Sequence, residues 1–496
     1  MKLNSRYINQ ILAELTGIEN HMKANFASLP DAITEIHHSH KLSAQNLIHY
    51  LSLRDIDIRK LQDELHVMGL SSLASSESHI LRQVQEVKMR LGASYRSTAL
   101  SPITEERATE NLKRKIHHLF GVNPEANLPF IMVTFDKSFG DDYAVIKSLL
   151  LNGMNVARIN CAHDNEEMWA RMIHHIRKAS NKTGKQCKIY MDLAGPKIRT
   201  KILTKKKHLK GSLEPGQVIW LAENKDDITT DEIVISPGIE GIIEQLKKGE
   251  RVLIDDGVIQ GEIEWADHHR AAVRITRVSK PKLKLKDDKG INFPDSDINI
   301  SALTEFDKQC LPFMSEHADM VGYSFVKTPD DLTALRNEFN AFNIRMPHFI
   351  IKIETTQAVK QLPAILLEGM KDETFGVMIA RGDLAVEIGF ERTGEIQEEI
   401  LWLCEAAHVP VIWATQVLES LNKSGLATRS EITDAGHAAA ADCIMLNKGP
   451  HTIEVLETLK EIIKRSSEHK NKKRYLFRPL SIARDFISSL TTENQA

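Results

Sequence analysis

The stretch DMVGYSFVKTPDDLTALRNEFNAFNIRMPHFIIKIE, residues 319–354, decides the fold. It opens and closes on short, almost uninterrupted apolar runs, 319–325 and 348–354, with a helical run between them. Runs of that kind are what strands buried on both faces of a parallel sheet look like. Working outward, the same unit recurs: FIMVT (130–134), NVARI (155–159) and KIYMD (188–192) come before it, and GVMIAR (376–381), PVIWAT (410–415) and DCIMLN (442–447) after it. Eight such units predict a (β/α)8 TIM barrel rather than an open doubly wound sheet, in which about six strands are usual.

After the third strand the helical period vanishes. QVIWL, DEIVIS, RVLID, VIQGEIEW and AAVRITRV are short, β-branched and separated by Gly, Pro or charged turns, which predicts an inserted all-β domain. Ahead of the barrel, Leu47, Ile48, Leu51, Leu61 and Leu65 recur at helical steps, Gly69 stops one helix, and Ser75 or Ser76 is placed to cap the next. The expected division is 1–125 as an N-terminal all-α module and linker, 126–200 and 289–470 as the two parts of the barrel, 201–288 as a β-barrel-like lid, and 471–496 as a basic and polar tail. The helical module carries no candidate catalytic group. It reads as a docking or dimerisation element whose removal spares the barrel, and His37, His38 and His40 read as a solvated face.

Composition excludes several classes. Apolar residues make up 42% and charged residues 26% of 496, the values of a soluble globular chain. A formal charge of -3 leaves no global basic field for nucleic acid or an anionic membrane. The most apolar stretch, 399–418, is broken by Glu405 and His408, so no membrane span is expected. Five scattered cysteines without a C-x-x-C pair read as reduced core residues, and a cytoplasmic location is expected.

In a TIM barrel the C-terminal strand ends carry the chemistry. Here those ends present Arg158 and Asn160, Asp192, Lys352 and Glu354, Arg381 and Asp383, and Thr415 and Gln416. Lys352 and Glu354 are two apart on one strand and share a face. Glu354 and Asp383 suit a hard divalent cation that keeps coordination positions for substrate oxygens. Gly382, ahead of a helix, would let backbone N–H groups approach an anion. The competing reading for any single charge is a surface salt bridge.

Ten motifs then fall in order: NVARINCAHD, MDLAGPKIRT, VLIDDGVI, DKGINFP, DMVGYSFVK, IIKIET, GVMIARGDLAVEIG, PVIWATQVLES, TRSEITDA and ADCIMLNKG. From about residue 130 to 450 the chain resembles pyruvate kinase. The resemblance implies transfer of the phosphoryl group of phosphoenolpyruvate to ADP, with Mg2+ or Mn2+. It implies Arg158 and Lys352 on the phosphoryl group, Glu354 and Asp383 on the metal, Arg381, Gly382, Asp383 and Thr415 around the substrate, and Thr415 beside the enolate. His163, Arg199 and Lys289 match positions near the nucleotide. A homo-oligomer is expected.

Departures from the family pattern are equally specific. TFDKSFGDD (134–142) and NKGPH (447–451) replace the usual turns after the first and last strands, and the regulatory C-terminal domain is expected to be absent. Around Asn160, Asp192 and Lys197, Ala162 and Leu193 stand where K+-dependent members carry hydroxyls and Lys197 where they carry Glu, so no K+ requirement is expected. Two alternatives stay open: a metal-dependent enolpyruvate enzyme with another acceptor, and a catalytically weak phosphoenolpyruvate-sensing protein.

Overall fold

The computed structural model describes residues 5–29, 34–123, 125, 128–204, 212–467, 470–471 and 474–475. Eight parallel strands close a barrel: Phe130–Phe135 (β1), Val156–Asn160 (β2), Lys188–Asp192 (β3), Met320–Tyr323 (β4), His348–Ile353 (β5), Phe375–Ala380 (β6), Val411–Ala414 (β7) and Cys443–Leu446 (β8). Each expected run forms one strand, and strands consecutive in the chain are neighbours in the barrel. The reason is the burial of both faces. On β5, Phe349, Ile351 and Ile353 pack outward against helices, while Ile350 fills the interior with Phe130, Met132, Tyr190, Met378 and Ile412. Gly322 on β4 is required by packing, since a Cβ there would run into the Tyr190 hydroxyl and Asp192 Oδ1.

The helix after β4, Pro329–Ala341, starts at a capping box in which Thr328 and Asp331 satisfy each other's backbone N–H groups. The insertion after β3 forms a seven-stranded sheet that runs from Lys201–Ile202 to Ile291–Asn292, with its own core around Ile219, Ile263 and Val273. Lys470–Asn471 pairs antiparallel with Arg474–Tyr475. The rest of the expected tail lies outside the described residues. Among the described residues no helix is long and apolar enough to cross a membrane.

The N-terminal helices are Ser5–Ala27 (α1), Lys41–Arg54 (α2), Arg59–Val67 (α3), Ile80–Arg90 (α4) and Glu105–Phe120 (α5). Gly69 follows α3 at φ +71°. The expected serine cap is not made, because Ser76 Oγ donates to the Leu73 carbonyl. Asn46 of α2 caps α4 instead: its Oδ1 accepts from Ile80 N at 3.1 Å, and its amide donates to the carbonyls of Glu77 and Ala406. Asn46→Ala is expected to destabilise the chain by about 2 kcal/mol, since it removes a cap and strands two carbonyls. A urea midpoint unchanged from the parent would contradict this.

Ala406 lies at the end of the helix Thr393–Ala406, on the barrel, so this one side chain joins the two parts. The apolar core is likewise continuous from Ile11, Leu47 and Val84 into the barrel's helical layer. At the end of α5, Leu119 and Phe120 enter the barrel interior cluster. The histidine tract also departs from expectation, because His40 is fully buried. Packing of this kind does not describe a detachable piece.

Candidate active site

Strand alternation carries polar side chains at the last inward positions of the barrel, where no further apolar layer covers them. Asp192, at the end of β3, is 1% exposed and collects four donors. Arg158 reaches its Oδ2 from Nη2 at 2.5 Å and Nε at 3.1 Å, Lys352 Nζ stands 3.2 Å away, and the Tyr190 hydroxyl donates to Oδ1 at 2.9 Å. Lys352 Nζ also donates to Ser324 Oγ at 2.7 Å and pairs with Glu354 Oε1 at 3.1 Å. Arg158 Nη1 donates to Thr134 Oγ1.

These groups set one another's protonation. Burial alone would raise the Asp192 carboxyl, but Lys352 and Arg158 overcome it and hold Asp192 below the usual range. Burial likewise opposes charge on Lys352, and Asp192 and Glu354 reverse it, leaving Lys352 above its usual value. Glu354 goes the other way. Burial pushes its carboxyl up, Lys352 pulls it down, and the nearby Asp383 charge pushes it up again.

Asp383 sits in the first turn of the helix Arg381–Ile388 that follows β6, and its Oδ1 pairs with Lys197 Nζ at 2.6 Å. Glu354 Oε2 accepts from the Phe325 backbone N–H at 2.7 Å, which fixes that carboxylate. A buried carboxylate whose charge a second carboxylate disfavours is a fit for a divalent cation. Among the described residues no cluster of three or more His, Cys, Asp or Glu side chains could hold a metal, so substrate oxygens would have to complete any coordination at Glu354 and Asp383. A cavity of about 360 Å³ opens beside Asp383, between the segment 291–300 of the inserted domain and the barrel, with Lys197, Asn292, Lys327 and Glu387 in its lining. Asn292 donates to Glu387 at 2.7 Å across that boundary.

Thr415 follows β7 at φ +66°, and Gln416 and Leu418 are also left-handed, at +56° and +50°. A β-branched residue there is an outlier held by its surroundings. The Thr415 hydroxyl is buried and finds no hydrogen-bond partner among the described residues. It faces Gly382, where an added Cβ would lie 3.5 Å from Oγ1. The Arg381 guanidinium turns to Asp434 and to the carbonyls of Ala414 and Thr415, leaving its backbone and that of Gly382 at the start of the helix.

The remaining expected residues lie at the ends of β2 and β3, in the turns that follow them and at the edge of the inserted domain. Asn160 Oδ1 accepts from Ala162 N, and Leu193 is buried. His163 is exposed in the turn after β2. Arg199 and Lys289 flank the inserted domain, where they pair with Asp288 and Asp255. The two unusual turns meet each other, because Lys448 Nζ lies 3.3 Å from Asp136 Oδ2.

Sequence reading did not name Thr134, Tyr190, Ser324 or Asp434. Ser324 is two residues beyond the inward Gly322, so alternation would have found it. Asp434 lies within the quoted TRSEITDA motif, yet only the folded chain shows that it meets Arg381.

Comparison with known proteins agrees with this architecture. The model of the pyruvate kinase barrel domain matches residues 131–451. A pyruvate kinase of Bacillus licheniformis is 32% identical over 338 residues, covering 67% of this chain and 56% of the relative. One from Thermotoga maritima is 32% identical over 336 residues, covering 66% and 69%. The chain thus spans a little over half the length of the Bacillus relative. A crystal structure of a pyruvate kinase from Cryptosporidium parvum shares the fold, with a TM-score of 0.62, 24% identity and coverage of 71% of this chain and 72% of that one. With its barrel domain matched from strand β1 to the turn after β8, the chain belongs to the pyruvate kinase family.

Proposed function

We propose that this chain is a cytoplasmic phosphotransferase that moves the phosphoryl group of phosphoenolpyruvate to ADP, giving pyruvate and ATP, with Mg2+ or Mn2+ and without K+. The observation that carries this reading is the buried array Arg158, Asp192, Lys352 and Glu354 at the barrel mouth, together with the unpartnered Thr415 hydroxyl after β7 beside Gly382. Buried cations that are held in place act on developing charge without reorganisation. Arg158 and Lys352 are the phosphoryl-binding and charge-neutralising groups. Asp192 orients both of them. Glu354 and Asp383 would hold a divalent ion, which would supply neutralisation of the substrate's negative charge. The substrate carboxylate rests on the backbone at Arg381 and Gly382, and Thr415 faces the enolate. His163, Arg199 and Lys289 serve the nucleotide side, the latter two from the edge of the inserted domain.

The test is pyruvate formation from phosphoenolpyruvate with ADP, with other nucleoside diphosphates, and with no nucleotide. ADP-dependent pyruvate supports the reading. Pyruvate formed equally well without nucleotide points to another acceptor, which the altered edge at Asp136 and Lys448 makes worth the extra arm. No pyruvate in any arm leaves the sensing alternative.

K+ independence has its own support. Asp192 Oδ2 is taken by Arg158 and Lys352 and Oδ1 by Tyr190, Asn160 Oδ1 is engaged by its own turn, and Lys197 places an ammonium at Asp383. A hard cation needs several free oxygens to replace its hydration shell, and these are committed. Turnover in K+-free buffer is expected within about twofold of that in saturating KCl at matched ionic strength, since ionic strength is the remaining salt effect. A large rise specific to K+ would overturn this.

A further inference from the structure

The Thr415 conformation is strained, and the contacts that hold it converge on one residue outside the barrel mouth. Arg381 Nε donates to the Ala414 carbonyl at 3.1 Å and Nη2 to the Thr415 carbonyl at 2.5 Å. The same guanidinium lies 4.6 Å above the Trp413 ring. Asp434, on the helix Arg429–Ala438, receives Nη1 at 2.5 Å and Nη2 at 2.9 Å. A bidentate carboxylate fixes the plane of a guanidinium, where a single contact would leave it free to rotate. Arg381 is 9% exposed, and Asp434, with a side chain 28% exposed, is its one carboxylate partner among the described residues.

We propose that Asp434 is a positioning residue for the protonation step: by orienting Arg381 it fixes the Ala414 and Thr415 carbonyls and so aims the unpartnered Thr415 hydroxyl at the substrate. This rests on the function proposed above. The enolate left when the phosphoryl group departs becomes pyruvate by gaining one proton on its methylene carbon. The Thr415 O–H bond breaks as the C–H bond forms, the enolate oxygen becomes the carbonyl, and the hydroxyl regains a proton from water. Asp434 touches neither substrate nor reacting atoms. Its effect on proton transfer therefore passes through Arg381 to Thr415, and KM and metal affinity separate it from an effect on the Arg381 and Gly382 backbone or on Asp383.

A double-mutant cycle over Asp434→Asn and Thr415→Val tests this, read by kcat, by KM for phosphoenolpyruvate, by Mn2+ binding, and by entry of solvent deuterium into the pyruvate methyl group. In Asp434→Asn, kcat and deuterium entry are expected to fall about tenfold to a hundredfold, as for a small misplacement of a reacting group, with KM and Mn2+ affinity within about threefold. Asp434→Glu recovers part of the loss. In the Thr415→Val background Asp434→Asn costs less than about twofold, because coupled residues are not additive. An undiminished cost in that background, or KM rising and metal affinity falling beyond threefold as kcat falls, overturns the proposal. If Asp434→Asn does not fold, Arg381→Lys takes its place in the cycle, with a cation kept over Trp413 and the bidentate pair lost. A parent protein that neither forms pyruvate nor exchanges its methyl protons overturns the functional reading instead. In that case the Thr415 methyl resonance of threonine-labelled protein decides the positioning, which requires it to shift in Asp434→Asn and fails if it does not.

Discussion

Lys352→Met is expected to reduce phosphoryl transfer by about a hundredfold to a thousandfold, the range found when one charge-stabilising donor is removed from a preorganised site. Methionine keeps the apolar stem and so preserves packing. What is lost is the ammonium that touches Asp192, Ser324 and Glu354 together. A second effect follows from the electrostatics. Glu354 is already pushed up by burial, with Lys352 the main influence holding it down and Asp383 adding to the rise. Without Lys352 the carboxyl protonates at higher pH, and a protonated carboxyl is a poor ligand for a hard cation. Mn2+ affinity in Lys352→Met is therefore expected to stay close to that of the parent in alkaline buffer and to fall away from it as pH decreases. Electron paramagnetic resonance titrations at several pH values measure it. Parallel pH profiles for the two proteins, or near-normal turnover in the variant, would remove Lys352 from its proposed place.

Legibility differed between the parts for physical reasons. Barrel strands such as HFIIKI announce themselves because both faces are buried, and the same alternation puts Lys352 and Glu354 on the inner face by their spacing alone. Local rules suffice for that. The polar members that act through distant partners are different: Asp434 is an ordinary helical carboxylate until it meets Arg381 from 53 residues away. Asn46 and His40 sit in helical stripes, where a pattern says only that one face is covered and not by what. Their partners, Ala406 and Glu373, lie more than 300 residues further along. That is why the helical module read as an independent attachment.

Deleting residues 1–120 is accordingly expected to abolish soluble folding, whereas the sequence alone led to the opposite expectation. The cut removes Leu119 and Phe120 from the barrel's interior cluster, and filling that space with water or leaving it empty costs about 3–5 kcal/mol for a large buried side chain. It also removes Lys115, 1% exposed, whose Nζ donates to His40 Nδ1 at 2.9 Å, Ser43 Oγ at 3.1 Å and the His408 carbonyl at 3.0 Å. With Nδ1 accepting, His40 carries its proton on Nε2 and donates it to the Glu373 carbonyl. His408 does the same toward Ser78, while its Nδ1 faces Ser43 and Asn111. Loss of the module thus leaves the His408 ring and the Ala406, His408 and Glu373 carbonyls without these partners, each stranded group costing about 1–3 kcal/mol where it stays buried. Typical domains hold about 5–15 kcal/mol in all, so these losses suffice. A cut at residue 104 separates the contributions, because it keeps α5 with its plug and Lys115 but discards His40, Ser43 and Asn46. That chain is expected to fold more often than the shorter one and to melt well below the parent. The pH dependence offers an independent check. Burial, reinforced by Lys115, drives His40 down to about 2, so between its unfolded value near 6.5 and that point only the unfolded chain binds the proton. Full-length protein should lose stability as pH falls below about 6.5, and His40→Gln should flatten part of that slope in urea titrations. A soluble, cooperatively melting chain that begins at residue 121 would show that the barrel closes without its helical base.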